Sequence, residues 1–187
     1  MPVRIQTEDF DAGREMAALR AGNAQIGAIA SFIGVVRDVN DGDCVSSMFL
    51  EHYPGMTERE LEKICAEAAV RWRLFDTLIV HRVGELQPTD QIVLVVVTSG
   101  HRGDAFSACE FIMDYLKTRA PFWKREETPE GARWVDARAS DDDAAARWSG
   151  GTARSGAPGA TGNIDDEPSN PPDKAGNVGA HTSNPPE

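Results

Sequence analysis

Apolar residues recur along the first 148 positions with two alternating periods, that of strands and that of helices. Residues 26–36, IGAIASFIGVV, form an apolar, β-branched run that predicts a strand buried on both faces. Val45 to Tyr53 predicts a second strand, with Asp41-Gly42 as the turn between them. After Pro54-Gly55, Thr57 and Glu60 have the spacing of a capping box, and Leu61, Ile64, Ala68 and Trp72 mark one face of a helix. Thr77 to Val83 and Gln91 to Thr98 predict two more strands, joined by the loop of residues 84–90. The second of them, with its run IVLVVV, belongs at the centre of a sheet.

Asp104 is the expected N-cap of a helix carrying Phe106, Cys109, Ile112, Met113 and Leu116, which Pro121 stops. Phe122 to Glu127 and Ala132 to Ala137 read as strands around the hairpin signature Thr128-Pro129-Glu130-Gly131. A strand at Val3 to Gln6 and a short helix near Ala12 to Leu19 complete the series. Strands alternate with helices, so an α/β or α+β domain follows, and no internal repeat is visible.

The pattern ends near Trp148. Residues 149–187 contain no aromatic residue, only Ile164 and Val178 as large aliphatics, and 6 of the 11 prolines with 7 of the 17 glycines. Such a segment cannot bury enough apolar surface to offset its ordering entropy. A folded domain over 1–148 and a disordered tail over 149–187 are therefore expected.

Charge narrows the partners. With 19 basic and 30 acidic residues the chain carries −11, which argues against a general coat for nucleic acid or an anionic membrane. The start MPVRIQTEDF lacks the apolar stretch of a signal peptide, and no run of about 18 apolar residues occurs, so a cytoplasmic, non-membrane protein is expected. Cys44, Cys65 and Cys109 are odd in number and far apart, which fits neither a disulfide framework nor a zinc site; they are expected to be small buried apolar residues. His52, His81 and His101 fall in different elements, so no metal site is expected.

One segment breaks the acidic trend. Lys117, Arg119, Lys124 and Arg125 fall within nine residues at a helix end and the following strand. The cluster suggests an anion site, although helix C-termini also collect cations to offset the dipole. Mutual repulsion between the two lysines would make them the reactive groups of the segment. Phe122 and Trp123 could stack a planar heterocycle or simply fill the core. The loop Ser99-Gly100-His101-Arg102-Gly103 ends a central strand before a helix, a common place for ligands in α/β folds, yet it is no P-loop. His101, Arg102 and Arg37 can each be read as an anion contact or as a solvated polar residue.

The strings FIGVVRD, LEHYPGMTERELEKI, VHRVGEL, TSGHRGDAF, FIMDYLKTRAPFWKRE and TPEGARWVDAR occur in this order. Together they resemble the large, catalytic subunit family of molybdopterin synthase over about residues 3–148. The resemblance implies an α+β fold, an α/β hammerhead-like domain with an added antiparallel β-sheet. It implies a sulfurtransferase of molybdenum cofactor biosynthesis that needs no cofactor of its own. Such an enzyme moves sulfur onto cyclic pyranopterin monophosphate, precursor Z, to form the dithiolene of molybdopterin. The sulfur donor is a small ubiquitin-like carrier subunit whose C-terminal Gly-Gly ends in a thiocarboxylate. Two large subunits form the central homodimer of a heterotetramer.

The same resemblance implies the site. Lys117 and Lys124 match the family's catalytic lysines, Lys117 beside the thiocarboxylate and Lys124 as acid/base or electrostatic stabiliser. Phe32, Val35, Val36, Arg37, His101, Arg102, Arg125 and Glu126 match positions around the pterin phosphate, with the His101-Arg102 pair supplied by the neighbouring subunit, and Arg138 is a further basic position. The family pattern tolerates Lys at Val35 and often has Ala at Gly100. The competing reading is a non-catalytic module that binds a ubiquitin-like partner or a phosphorylated pterin; another is a transferase acting on a different pterin-like phosphate.

Overall fold

The computed structural model describes residues 3–40, 43–135 and 139–148. The expected Asp41-Gly42 turn, Arg138 and the tail 149–187 lie outside the described residues.

The larger sheet has the order β1-β6-β8-β2. β1 (Val3–Gln6) runs parallel to β6 (Leu74–Arg82), and β8 (Gln91–Ser99) pairs antiparallel with both β6 and β2 (Ala28–Val35). Side chains alternate across β8 as the strand period requires. Val93, Val95 and Val97 face α2 (Met56–Arg71) and α3 (Arg102–Arg119), where they meet Leu61, Ile64, Phe111 and Ile112. Leu94 and Val96 face the other way and are covered with Phe10 by Met16 and Leu19 of α1 (Ala12–Arg20). β8 is thus central, as its composition predicts.

β2 departs from expectation. Only Ala30 on it is buried, while Phe32, Ile33 and Val35 are 40%, 39% and 48% exposed. It is the sheet's open edge, so its apolar content marks an uncovered border rather than a core strand. At Gly34 the pairing with β8 shifts register, and a Cβ there would come within 2.9 Å of the Val93 side chain, so glycine is required by close approach.

The second sheet is fully antiparallel with the order β10-β9-β5-β7. It consists of β5 (Ser47–His52), β7 (Gly84–Leu86), β9 (Phe122–Thr128) and β10 (Gly131–Val135). β7 lies within the segment read as a loop. The hairpin β9–β10 pairs Thr128 with Gly131, matching the turn signature. Val36, Met48, Leu50 and Leu86 form a small core of their own beneath this sheet. A ribbon, β3 (Val39–Asn40) with β4 (Asp43–Cys44), and α4 (Ala139–Ala146) were not indicated by the sequence.

Both long helices start earlier than predicted. Gly55, at φ 76°, turns the chain so that α2 begins at Met56, and the Gly55 N–H donates to Glu58 Oε2 at 2.6 Å in place of the expected Thr57–Glu60 box. Thr57 is buried and instead bridges Tyr53 and the Pro121 carbonyl. α3 starts at Arg102 with His101 as N-cap, which leaves Asp104 in the first turn, where a carboxylate still complements the helix dipole.

The cysteines divide. Cys65 and Cys109 are buried, and burial raises both thiols, Cys109 to about 11. Cys44 is exposed, against the expectation of three buried residues. Titration with a disulfide reagent at pH 8 should therefore modify one thiol per chain in the native protein and all three after denaturation. Rapid native reaction of two or more would contradict this burial.

Candidate functional site

A cavity of about 550 Å³ opens where the end of β2, α3, β9 and α4 meet, a size suited to a small-molecule ligand. Phe32, Val35, Val36 and Arg37 line it from β2 and the residues after it. Lys117 enters from α3, Lys124 and Glu126 from β9, and Asp141 from α4.

Strand pleat decides which β9 residues take part. Lys124 and Glu126 face the cavity with their cross-strand partners Leu50 and Met48. Arg125, one position between, falls on the opposite face, where its guanidinium lies 5.4 Å from the Phe49 ring and 5.9 Å from that of Trp134. Helical spacing separates the α3 pair in the same way. Lys117 faces the cavity, whereas Arg119 turns to α2 and bonds Glu60 and Glu67 at 2.7–3.0 Å. The basic segment therefore splits into two cavity lysines and two scaffold arginines.

The expected repulsion between the lysines is replaced by pairing with carboxylates. Lys124 Nζ lies 2.8 Å from Glu126 Oε1, and Lys117 Nζ lies 3.4 Å from Asp141 Oδ1. Glu126 is 3% exposed and also accepts from Asn40 Nδ2 at 2.9 and 3.1 Å and from Arg133 at 3.4 Å. Burial alone would raise this carboxyl, but the bonds from Lys124, Asn40 and Arg133 outweigh it and hold it below the ordinary range. Asn40 Oδ1 in turn accepts from Arg37 at 3.3 Å. In an acidic chain, the cavity thus gathers Arg37, Lys117 and Lys124 around two carboxylates.

Sequence reasoning missed Asn40, Arg133, Asp141 and His81. The hairpin register, which sets Arg133 opposite Glu126, could have found the second of these. His81 also lines the cavity, is 5% exposed and stacks on Phe122 with centroids 3.9 Å apart. Burial lowers its imidazole to about 4, with His52 adding to the effect and the bond to the Arg82 carbonyl opposing it.

His101 and Arg102 are exposed and lie beyond the far end of β8. Ile92 lines the cavity, and the strand from there to Ser99 spans roughly 24 Å. The single chain does not bring this pair to the lysines. Gly27 lets the loop approach closely, since a Cβ there would collide with the Gly100 carbonyl. At Gly100 itself a Cβ would meet its nearest neighbours at 3.9 and 4.0 Å, so an alanine would fit there.

Residues 5–119 match the family model described as MoaE protein. The chain belongs to the MoaE protein family. A molybdopterin synthase catalytic subunit from Ralstonia nicotianae is 67% identical over 146 residues, 78% of this chain and 83% of the relative. Among solved structures, a molybdopterin biosynthesis MoaE protein from Burkholderia ambifaria aligns with TM-score 0.68 at 63% identity, covering 79% of this chain and 97% of its own. A molybdopterin synthase from Staphylococcus aureus gives TM-score 0.68 at 32% identity, covering 73% and 98%. The mixed helix and sheet architecture is thus that of the MoaE fold. Among the described residues no helix is long and apolar enough to cross a membrane.

Two separate buried groups, His81 and Glu126, make this MoaE-family domain acid-sensitive. The imidazole at position 81 takes up a proton near 6.5 when unfolded but only near 4 when folded, so its stabilising effect is complete above 6.5 and is lost as pH falls toward 4. Glu126, with its lowered carboxyl, loses its contribution at still lower pH. The melting temperature should fall by several degrees between pH 7 and 5, and by less in His81→Phe. Equal falls in the two proteins, followed by differential scanning fluorimetry, would show that His81 is not the group responsible.

Proposed function

We infer that this chain is the catalytic subunit of a molybdopterin synthase, transferring sulfur from a carrier thiocarboxylate to a cyclic pterin phosphate. The observation that carries the reading is the pairing of Lys117 and Lys124 in one cavity with Arg37, inside a domain of the MoaE family. Sulfur transfer builds negative charge on a tetrahedral centre, and preorganised ammonium groups in a partly enclosed cavity stabilise such charge.

In this reading Lys117, half-exposed and loosely held by Asp141, meets the incoming thiocarboxylate and replaces that contact with a new one. Lys124, held at fixed geometry by Glu126, stabilises or protonates the oxygen released as the cyclic phosphate ring opens. Arg37 supports the phosphate, and the bidentate capacity of its guanidinium suits that task. Phe32 and Val35 form the cavity's apolar lip. No metal or redox group enters these steps.

The partner is a small ubiquitin-like sulfur carrier whose C-terminal Gly-Gly thiocarboxylate enters the cavity, and the enzyme works in the cytoplasm. A second copy of the chain completes the site by supplying His101 and Arg102. The exposed apolar edge of β2, with Phe32, Ile33 and Val35, is the kind of border a second subunit covers.

Turnover with thiocarboxylated carrier and precursor Z tests the assignment, with molybdopterin read as its fluorescent oxidised derivative. Lys117→Ala and Lys124→Ala should each lower turnover by about 10²-fold or more; the melting temperature should hold in Lys117→Ala and fall in Lys124→Ala, which takes a partner from buried Glu126. Arg119→Ala should keep turnover but lose about 1 kcal/mol in denaturant unfolding, since its ion pairs join α2 to α3. Full turnover in Lys117→Ala would remove the catalytic role; carrier binding without any product from the wild type would favour the non-catalytic module.

A further inference from the structure

The cavity wall holds one buried titratable group that the reading above leaves unused. His81 sits on β6, stacked on Phe122 at an interplanar angle of 16°, and both rings line the cavity. Its Nδ1 lies 2.8 Å from the Arg82 carbonyl oxygen. A carbonyl oxygen only accepts, so Nδ1 carries the imidazole's proton and Nε2 is left with a lone pair. Among the described residues no side chain bonds Nε2. Burial keeps the ring neutral near pH 7, so Nε2 is an acceptor there.

Most other polar side chains of the cavity are donors or already engaged. Lys117, Lys124 and Arg37 can only donate, and the Glu126 carboxylate is held by Lys124, Asn40 and Arg133, which leaves Asp141, beside Lys117, as the other acceptor. A planar nitrogen heterocycle brings ring N–H and amino donors that need acceptors once water is displaced. We propose that His81 Nε2 accepts a hydrogen bond from a ring N–H or amino group of the pterin in this cavity, and so helps select that heterocycle. The proposal deepens the synthase reading and rests on it for the identity of the substrate. His81 is a specificity-determining residue here and takes no proton during the reaction.

Two variants separate acceptor from scaffold. His81→Phe keeps an aromatic ring against Phe122 and removes the acceptor; His81→Gln restores a carbonyl acceptor without the ring. With carrier and precursor Z, His81→Phe should raise KM about tenfold with kcat within about twofold, and His81→Gln should stay within about threefold of wild type. Direct binding of neopterin monophosphate to the full chain, followed by pterin fluorescence, should show the same order. Unchanged KM and binding in a folded His81→Phe would overturn the proposal. So would equal losses in both variants with lowered melting temperature, the pattern of a merely structural residue. If the wild type forms no product, the synthase reading fails, and the binding series still decides His81: weaker binding only in His81→Phe supports it, and no binding by the wild type removes it.

Discussion

A carboxylate taken out of water must be paired, and the burial of Glu126 imposes that demand on the whole region around the cavity. Its partners come from separate parts of the chain: Lys124 on the same strand, Arg133 on the next, and Asn40 on the ribbon 86 residues away. Asn40 spends its other polar atom on Arg37. One buried charge therefore fixes the second sheet, the ribbon and the segment after β2 against one another. Breaking such an arrangement by removing a partner costs several kcal/mol, more than any one exposed ion pair supplies. The position of Lys124 is thus a consequence of folding, set before any ligand arrives.

Periodicity then sorts the cations between cavity and scaffold. Adjacent positions on β9 send Lys124 inward and Arg125 outward, and a two-residue step on α3 sends Lys117 to the cavity and Arg119 to α2. The division follows side-chain chemistry. Arginines occupy the sites that use a planar guanidinium, over the rings of Phe49 and Trp134 or forked between Glu60 and Glu67. Lysines occupy the cavity, where a compact ammonium on a flexible stem can exchange one anion for another. Reading all four residues as a single patch merged two populations that the fold keeps apart.

What was legible in the sequence was local. Period and turn chemistry placed β1, β8, α1 and the 128–131 hairpin, because neighbouring residues determine each of them. The helix starts were missed by a few positions because Gly55 at positive φ begins α2 ahead of the capping pattern. α4 carries ASDDDAAA, with no large apolar residue to mark a face; the chain after it is anchored by Trp148, whose Nε1 donates to Asp114 at 2.7 Å. Site residues that depend on long-range pairing left no local signal, Asn40 most clearly. His81 looked like any strand residue, since its significance lies in the ring of Phe122, 41 positions later in the chain. The lysines were legible through a long unusual string, and the pleat explains why Arg125, inside the same string, stands elsewhere.

The length of β8 constrains how the remaining expected residues can act. It carries Ile92 at the cavity and delivers His101 and Arg102 to the opposite end of the sheet. A rigid central strand, buried on both faces, cannot fold back to join them. Residues at two ends of one strand can share a site only when two copies meet, the far end of each placed at the cavity of the other. A two-fold axis does this for both sites at once, since every contact of one copy is returned by its partner. β2, hydrogen-bonded to β8 along its length and carrying exposed apolar residues on the sheet's open edge, lies beside the cavity where such a partner would seat. On the proposed reading, the uncovered strand and the divided set of cationic residues are two results of one cause, a site completed by a second copy of the chain.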